Sequence, residues 1–335
     1  MTKSIQIALI GAGYIAHYHV RGLLQQPGVE LTWVCSLEED ANRAFAKQYG
    51  IPNTTTDAAS LFGRPDIDAV ILSTPNTLHA PFAEAFLHAG KDVFIEKPMA
   101  INPDEGLRIQ AAAQQTGTLV MVGHMWRFDT EVLYIRSVVQ SGQIGSIVKT
   151  KGYGIHENWG PEGWFVQKAL AGGGALADMG VHALDTVRFL LGDPQPTEVY
   201  AKIGTYYGDY DVDDTGLLMI TWDTGATSLI ESGWWHPHMD GPEAATQIFG
   251  TDGYASLFPT KLKLRIAGTA GEFIPPMPPR AEHCDQVIYT RQMAHFVDCI
   301  RTRQQPVPGW AEGQTIVRIV AAAYQSSQTN QVIPL

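Results

Sequence analysis

The chain has 335 residues, space for about two domains at roughly 150 residues each. Apolar residues make up 45% of it and charged residues 17%, a globular balance that excludes a disordered chain. Its 23 Lys and Arg against 34 Asp and Glu give a formal charge of −11, and without a basic run it is unsuited to duplex DNA or an anionic membrane surface.

In the first third, short apolar runs alternate with helical stretches. Residues 5–10 form a run that ends in Gly11, and a helical stretch follows to about residue 26. Runs at 29–35, 69–73, 92–95 and 118–122 are separated by helical segments at 39–49, 80–89 and 104–116. Strands apolar on both faces, each followed by a helix, predict a parallel sheet covered by helices, and right-handed crossovers make it doubly wound. Near residue 123 the pattern changes. Strand-like segments at 147–155, 197–206, 215–222, 226–232, 245–249, 255–257 and 261–266 follow one another with turns such as Asp223-Thr224-Gly225, which predicts a largely antiparallel sheet. A helix is predicted at 175–191, and two more at about 285–301 and 311–328; Pro275 to Pro279 reads as a surface loop. The expected architecture is α/β followed by α+β, with domains at 1–123 and 124–335.

Three cysteines, Cys35, Cys284 and Cys299, are odd in number and none is spaced CxxC, so neither a disulfide framework nor a zinc knuckle is expected. No apolar run approaches the ~18 residues of a membrane span, and residues 5–10 are too short for a signal peptide, so a cytoplasmic protein is expected. Of eight tryptophans only Trp33 precedes residue 123.

Gly11-Ala12-Gly13-Tyr14-Ile15-Ala16 closes the first strand and opens the first helix, the context a GxGxxA dinucleotide fingerprint requires. Gly11 permits the tight turn, Gly13 lets backbone approach a pyrophosphate, and Ala16 permits close helix packing. A plain strand–turn–helix would use similar small residues; the βαβ pattern that follows favours the Rossmann reading. The second strand ends at Ser36, where an acid for the ribose hydroxyls often stands. Glu38 lies two residues beyond, and Arg43 about two helical turns on. The site thus leans to NAD and leaves NADP open.

Three further segments carry a resemblance: Ser73-Thr74-Pro75-Asn76-Thr77-Leu78-His79, Val93-Phe94-Ile95-Glu96-Lys97-Pro98, and Gly172-Gly173-Gly174 running on through Asp178, His182 and Asp185. With the glycine turn, in this order and over nearly the whole chain, they resemble the Gfo/Idh/MocA oxidoreductases, the family of glucose–fructose oxidoreductase and inositol dehydrogenase. The resemblance implies an N-terminal Rossmann domain and a C-terminal open-sheet domain for substrate binding and oligomerisation. It implies a catalytic Lys97, preceding a proline often joined in cis, with Asp178 and His182 completing the catalytic set. It implies a cofactor site of Gly11, Gly13, Tyr14, Ile15, Ser36, Thr74, Pro75, Asn76, His79, Glu96 and Lys97. Substrate contacts are expected from Lys97, Trp126, Arg127, His156, Trp164, Asp178 and His182.

The chemistry of these residues agrees. An ammonium at the carboxyl edge of the sheet can stabilise a developing alkoxide, though a turn lysine is the plain alternative. Asp178 and His182 are spaced i, i+4 and share a helix face, and an imidazole suits proton removal from an alcohol. Asp185 suits a structural helix role as well as a catalytic one, and His124 carries no assignment. His156, Trp159, Trp164, Trp234, Trp235 and His236 offer rings that can stack on sugar C–H faces or simply pack. The expected activity is hydride transfer between NAD(P) and a hydroxyl of a sugar, polyol or cyclitol. A non-catalytic sensor has little need for Lys97, Asp178 and His182 together, and an NAD-using glycosidase tends to be longer and exported. His17 with His19, and His236-Pro237-His238 with Asp240, lack further ligands nearby, so no metal is expected. An open sheet with apolar strands must cover a face, which implies a homo-oligomer, dimer or tetramer.

Overall fold

The computed structural model describes residues 4–237, 241–266, 269–278 and 285–335. Two compact units emerge: Met1–Met125 with Cys284–Gln314, and Trp126–His283 with Thr315–Leu335. The sequence-based expectations for Cys284, His238, Asp240 and Pro279 lie outside the described residues.

The first unit holds strands β1 (Ile5–Ile10), β2 (Val29–Cys35), β3 (Asn53–Thr55), β4 (Ala69–Leu72), β5 (Asp92–Ile95) and β6 (Val120–Val122). All pair in parallel, in the order β3-β2-β1-β4-β5-β6. This is a doubly wound Rossmann sheet, whose order reverses at β1 and β4. Strands β4, β5 and β6 are buried along their whole length, as a parallel sheet between helices demands. Helices α1 (Tyr14–Leu23), α2 (Glu39–Tyr49), α3 (His79–His88) and α4 (Pro103–Thr116) make the crossovers. Strand β3 is absent from the sequence prediction: it is three polar residues long, Asn-Thr-Thr, with no apolar run to mark it.

In the second unit, β7 (Ile147–Glu157), β8 (Pro196–Gly204), β9 (Thr215–Trp222), β10 (Thr227–His236), β11 (Ala244–Gly250), β12 (Gly253–Leu257), β13 (Lys261–Ile266), β14 (Thr269–Phe273) and β15 (Ile333–Pro334) form one sheet. Its order is β14-β13-β12-β11-β7-β10-β9-β8-β15. Among the described residues only the central β7–β10 pair is parallel, so the largely antiparallel expectation holds. Helix α5 (Thr130–Gln140), also absent from the sequence prediction, is capped by Asp129, which accepts from the N–H groups of Glu131 and Val132. A short α6 (Lys168–Ala171) precedes the triple glycine.

The predicted helix at 175–191 is not uniform. It opens as a π-helical turn, Leu176–Gly180, and only then continues as α7 (Val181–Leu190). Leu184 and Val187 of α7 pack with Leu218, Ile220 and Trp222 on the inner sheet face. On the opposite face of β9 and β10, Leu217, Met219 and Leu229 are exposed.

The chain closes with α8 (Gln286–Thr302) and α9 (Trp310–Thr329). Residues 285–314 group with the first unit, although the sequence reading places everything after 123 in the second domain. Tertiary packing decides this: α8 lies along α1, with the Tyr18 and Tyr289 rings 5.0 Å apart.

Candidate active site

Candidate residues occur in both units. In the first, Gly11 sits at φ +103°, and a Cβ there would lie 2.1 Å from the Ser73 carbonyl oxygen. Glycine is therefore required twice over, by backbone conformation and by the approach of β4. The Gly11 N–H donates to Cys35 O at 2.7 Å, which ties the turn to the end of β2. A Cβ on Gly13 would meet no atom within 4 Å, so the space in front of the turn is open. Gly13 heads α1 without a side-chain cap, and no acid occupies the first turn. Tyr14 is 70% exposed there, and Ile15 is half-buried. A positive helix end without a side-chain cap, and the open space before it, suit a pyrophosphate.

Ser36 stands half-buried just past β2, where its carbonyl accepts from Asn42 Nδ2 at 2.8 Å. Arg43 is engaged on the surface of α2 by Glu39. After β4, Thr74 and Pro75 lead into a short 3-10 turn, Asn76–Leu78, and Asn76 is buried. The Thr74 hydroxyl is buried without a hydrogen-bond partner among the described residues. That orphaned donor, beside the open glycine turn, fits a dinucleotide on this edge of the sheet.

His79 does not fit its predicted role as a cofactor contact. It is fully buried, with Nδ1 at 2.8 Å from Pro98 O and Nε2 at 3.0 Å from Thr74 O. Burial, partly offset by these two carbonyls, holds its imidazole below the usual value. One ring nitrogen donates to a main-chain carbonyl and the other lies against a second, so the ring packs between the Thr74 loop and Pro98.

Lys97 lies two positions after the end of β5, half-buried at the carboxyl edge, and the Lys97–Pro98 bond is cis. Glu96 is buried rather than open to a ligand. Its Oε1 lies 2.7 Å from His19 Nε2, and its Oε2 accepts from the Lys97 N–H at 3.1 Å. Burial by itself raises the Glu96 carboxyl; the hydrogen bond from His19 and the nearness of His19 and Lys97 outweigh it, and the carboxyl sits below its usual value.

In the second unit, Asp178 lies on the π turn and Oδ2 accepts from Trp234 Nε1 at 3.0 Å. His182 is buried on α7, its ring 5.3 Å from Trp126, which also meets Phe258 edge-on. The turn is anchored by Asp213, whose two carboxylate oxygens accept from the N–H groups of Gly174 and Leu176, each at 2.8 Å. Tyr324 donates its hydroxyl to the same carboxylate at 2.6 Å. Burial raises the Asp213 carboxyl above its usual value despite these three donors.

Arg127, predicted to touch substrate, is instead spent on an ion-pair network. It is 3% exposed; Nε and Nη2 bind Asp185 at 2.7–3.0 Å, while Nη1 and Nη2 bind Asp193. Asp185 thereby takes the structural option. His156 is buried, stacked on Trp159 with centroids 3.5 Å apart and Nδ1 3.3 Å from Glu243. Trp164 is half-buried against Phe165.

Residues 5–124 match the family described as "Oxidoreductase family, NAD-binding Rossmann fold", and residues 132–256 match the "GFO/IDH/MocA C-terminal domain". The chain belongs to the Gfo/Idh/MocA oxidoreductase family. Within it, the chain is 26% identical to scyllo-inositol 2-dehydrogenase (NAD(+)) of Bacillus subtilis (strain 168), over 100% of this chain and 97% of that protein. It is 28% identical to D-glucoside 3-dehydrogenase of Escherichia coli (strain K12), over 100% and 99%. An oxidoreductase domain protein from Kribbella flavida superposes with a TM-score of 0.91 at 26% identity, covering 99% of each chain.

For a Gfo/Idh/MocA oxidoreductase, the family's NAD is the cofactor that the open turn at Gly11 and Gly13 suits. Sequence reasoning missed His19, Asp213 and Tyr324. The acidic run Asp211 to Asp214 was the one visible signal for Asp213. Of the histidines considered for metal, His17 bonds Tyr49, His19 bonds Glu96 and His236 bonds Thr215, while His238 and Asp240 lie outside the described residues. Among the described residues no three His, Cys, Asp or Glu side chains are grouped to hold a metal ion, and no helix is long and apolar enough to cross a membrane.

Proposed function

We propose that this oxidoreductase dehydrogenates a hydroxyl group of a sugar, polyol or cyclitol, with Lys97, His182 and Asp178 as its catalytic residues. The observation that carries the reading lies in the first unit. The Gly11 turn ends β1 and Lys97 follows β5, with β4 between, so both stand on the carboxyl edge where open α/β sheets bind ligands. The named activities of the inositol and glucoside relatives support the substrate class.

NAD would supply the hydride acceptor for the carbinol carbon. Backbone N–H groups at Gly13, Tyr14 and Ile15 would hold the pyrophosphate, Ser36 the adenosine ribose, and Thr74, Pro75 and Asn76 the far end of the dinucleotide. No Lys or Arg adjoins Ser36, which supports NAD over NADP. Lys97 donates to the reacting oxygen and offsets its growing negative charge. His182 takes the hydroxyl proton, leaving a carbonyl, and Asp178 orients it or binds a neighbouring hydroxyl. In reduction the same groups run in reverse. Trp126, His156 and Trp164 contribute ring surface to the substrate.

The reading extends to a cytoplasmic homo-oligomer, joined through the outer face of β9 and β10. There Met219 and Leu229 are directly paired, and Leu217 is exposed alongside.

A panel of aldoses, inositols and other polyols with NAD+ or NADP+, followed by NAD(P)H absorbance, tests the activity. Lys97→Ala is expected to lose about 10²–10⁴-fold in turnover while still binding NADH. Wild-type turnover in that variant, or no reduction of either nucleotide on the whole panel, would count against the proposal.

A further inference from the structure

We infer that His19 is a positioning residue for Lys97, acting through Glu96, so that the helix that presents the nucleotide turn also sets the lysine. The inference rests on the catalytic reading of Lys97 above. His19 lies on α1, six positions after Gly13, and is fully buried. The edge of Phe94 from β5 and of Tyr289 from α8 pack against its ring, at 4.9 and 5.7 Å between centroids. Held there, Nε2 donates to Glu96 Oε1 while Oε2 takes the Lys97 main-chain N–H.

The two oxygens of one carboxylate therefore divide the work. The first is pinned to α1, and the second pins the residue that bears the ammonium. Glu96 has little freedom to do anything else. Its own N–H is bonded to Leu72 O at 2.9 Å, and a Cβ on Gly123 would lie 3.0 Å from its carboxyl. A buried carboxylate with two charge-assisted donors is a stiff link. Buried His19 thus has a reason to be polar. A core role alone would be met by an apolar ring or chain, whereas its Nδ1 is buried with no partner among the described residues, a cost a leucine would not carry. The imidazole is tolerated for what Nε2 does.

The test compares His19→Leu, which fills the space without a donor, with His19→Gln, which keeps an N–H near the Nε2 position. Glu96→Gln serves as a second route should His19→Leu not fold. Hydrogen–deuterium exchange of the peptide containing Lys97, in the absence of nucleotide, reports the clamp without a substrate. It should quicken in His19→Leu and in Glu96→Gln, and stay near wild type in His19→Gln. With the best panel substrate, kcat should fall about 10–100-fold in His19→Leu, the scale of a misplaced catalytic group, with KM for NAD+ changed less than about threefold. His19→Gln should recover most of the rate. On a Lys97→Ala background, His19→Leu should have no further effect on kcat. Unchanged exchange and kcat in His19→Leu, or an equal loss with and without Lys97, would overturn the inference. Full turnover in Lys97→Ala alone would instead remove the lysine's catalytic role, and the exchange result would then report the clamp by itself.

Discussion

Arg127 and Asp185 form a forked ion pair sealed from solvent, with the guanidinium donating to both carboxylate oxygens at 2.7–3.0 Å and the two side chains 2% and 3% exposed. Burial alone would pull the guanidinium's proton affinity down; Asp185 and then Asp193 more than offset it. The pair joins the segment before α5 to α7, the helix that carries His182.

Removing Asp185 leaves the buried Arg127 with Asp193 alone, and breaking a buried pair from one side costs up to about 3–5 kcal/mol. Asp185→Ala is therefore expected to destabilise the chain by that order in denaturant titration. Arg127→Met combined with Asp185→Leu should cost clearly less, because no buried guanidinium is left short of a carboxylate and Asp193 keeps Arg188. A double variant less stable than Asp185→Ala would contradict the stranded-charge explanation.

Gly11 and Gly13 should separate folding from binding. Gly11→Ala meets the Ser73 carbonyl at 2.1 Å and forces a side chain to φ +103°, a conformation that alone costs about 1–3 kcal/mol. A lowered melting temperature with lost NADH binding is expected. At Gly13, φ is −79° and a Cβ meets nothing within 4 Å, so Gly13→Val should keep wild-type stability. It should nevertheless weaken NADH binding at least tenfold, since the added methyls occupy the space the pyrophosphate takes. Unweakened binding in Gly13→Val would show that the nucleotide does not use this turn.

These contrasts mark what the sequence could and could not convey. The turn at Gly11 to Ala16 is local: an apolar run, small residues and a helix start are contiguous, so its context was legible. The place of Lys97 near the end of β5 was legible for the same reason, while its catalytic role was implied by the family resemblance. The partners that decide side-chain roles are distant. His19 meets Glu96 across 77 positions, and Arg127 meets Asp185 across 58, so neither pairing leaves a periodic trace. The sequence neighbours of Arg127 and His79 point both residues at ligands, and long-range packing gives them to the protein itself. The π turn at Asp178 likewise depends on Asp213, 39 positions beyond Gly174. An i, i+4 spacing could not reveal it.

The outer sheet face offers a test of assembly. Met219 and Leu229 are paired across β9 and β10, each 44% exposed, with Leu217 at 53% two residues along. Exposed apolar side chains so grouped favour a partner surface. Light scattering should give a multiple of the 36.6 kDa chain mass for wild type, and the monomer mass for Leu217→Asp with Leu229→Lys. A wild-type monomer would remove the oligomer from the proposal.

Asp213 and Tyr324 give a pH signature. The Asp213 carboxyl is raised in the folded chain, so the folded state holds its proton more tightly than the unfolded chain does. That contribution to stability is complete below the usual carboxylate value and is lost as pH rises through the folded one. Once ionised, the group depends on its donors, Gly174, Leu176 and Tyr324. Tyr324→Phe removes one of them and raises the carboxyl further. Where Asp213 is ionised the loss should be about 1.5–3 kcal/mol, the range for a hydrogen bond to a charged group. It should be smaller at about pH 5 than at neutral pH, because more of Asp213 is protonated there. Denaturant titrations of both proteins at the two pH values make the comparison, and an equal loss at each would mean that Tyr324 does not act through the Asp213 charge.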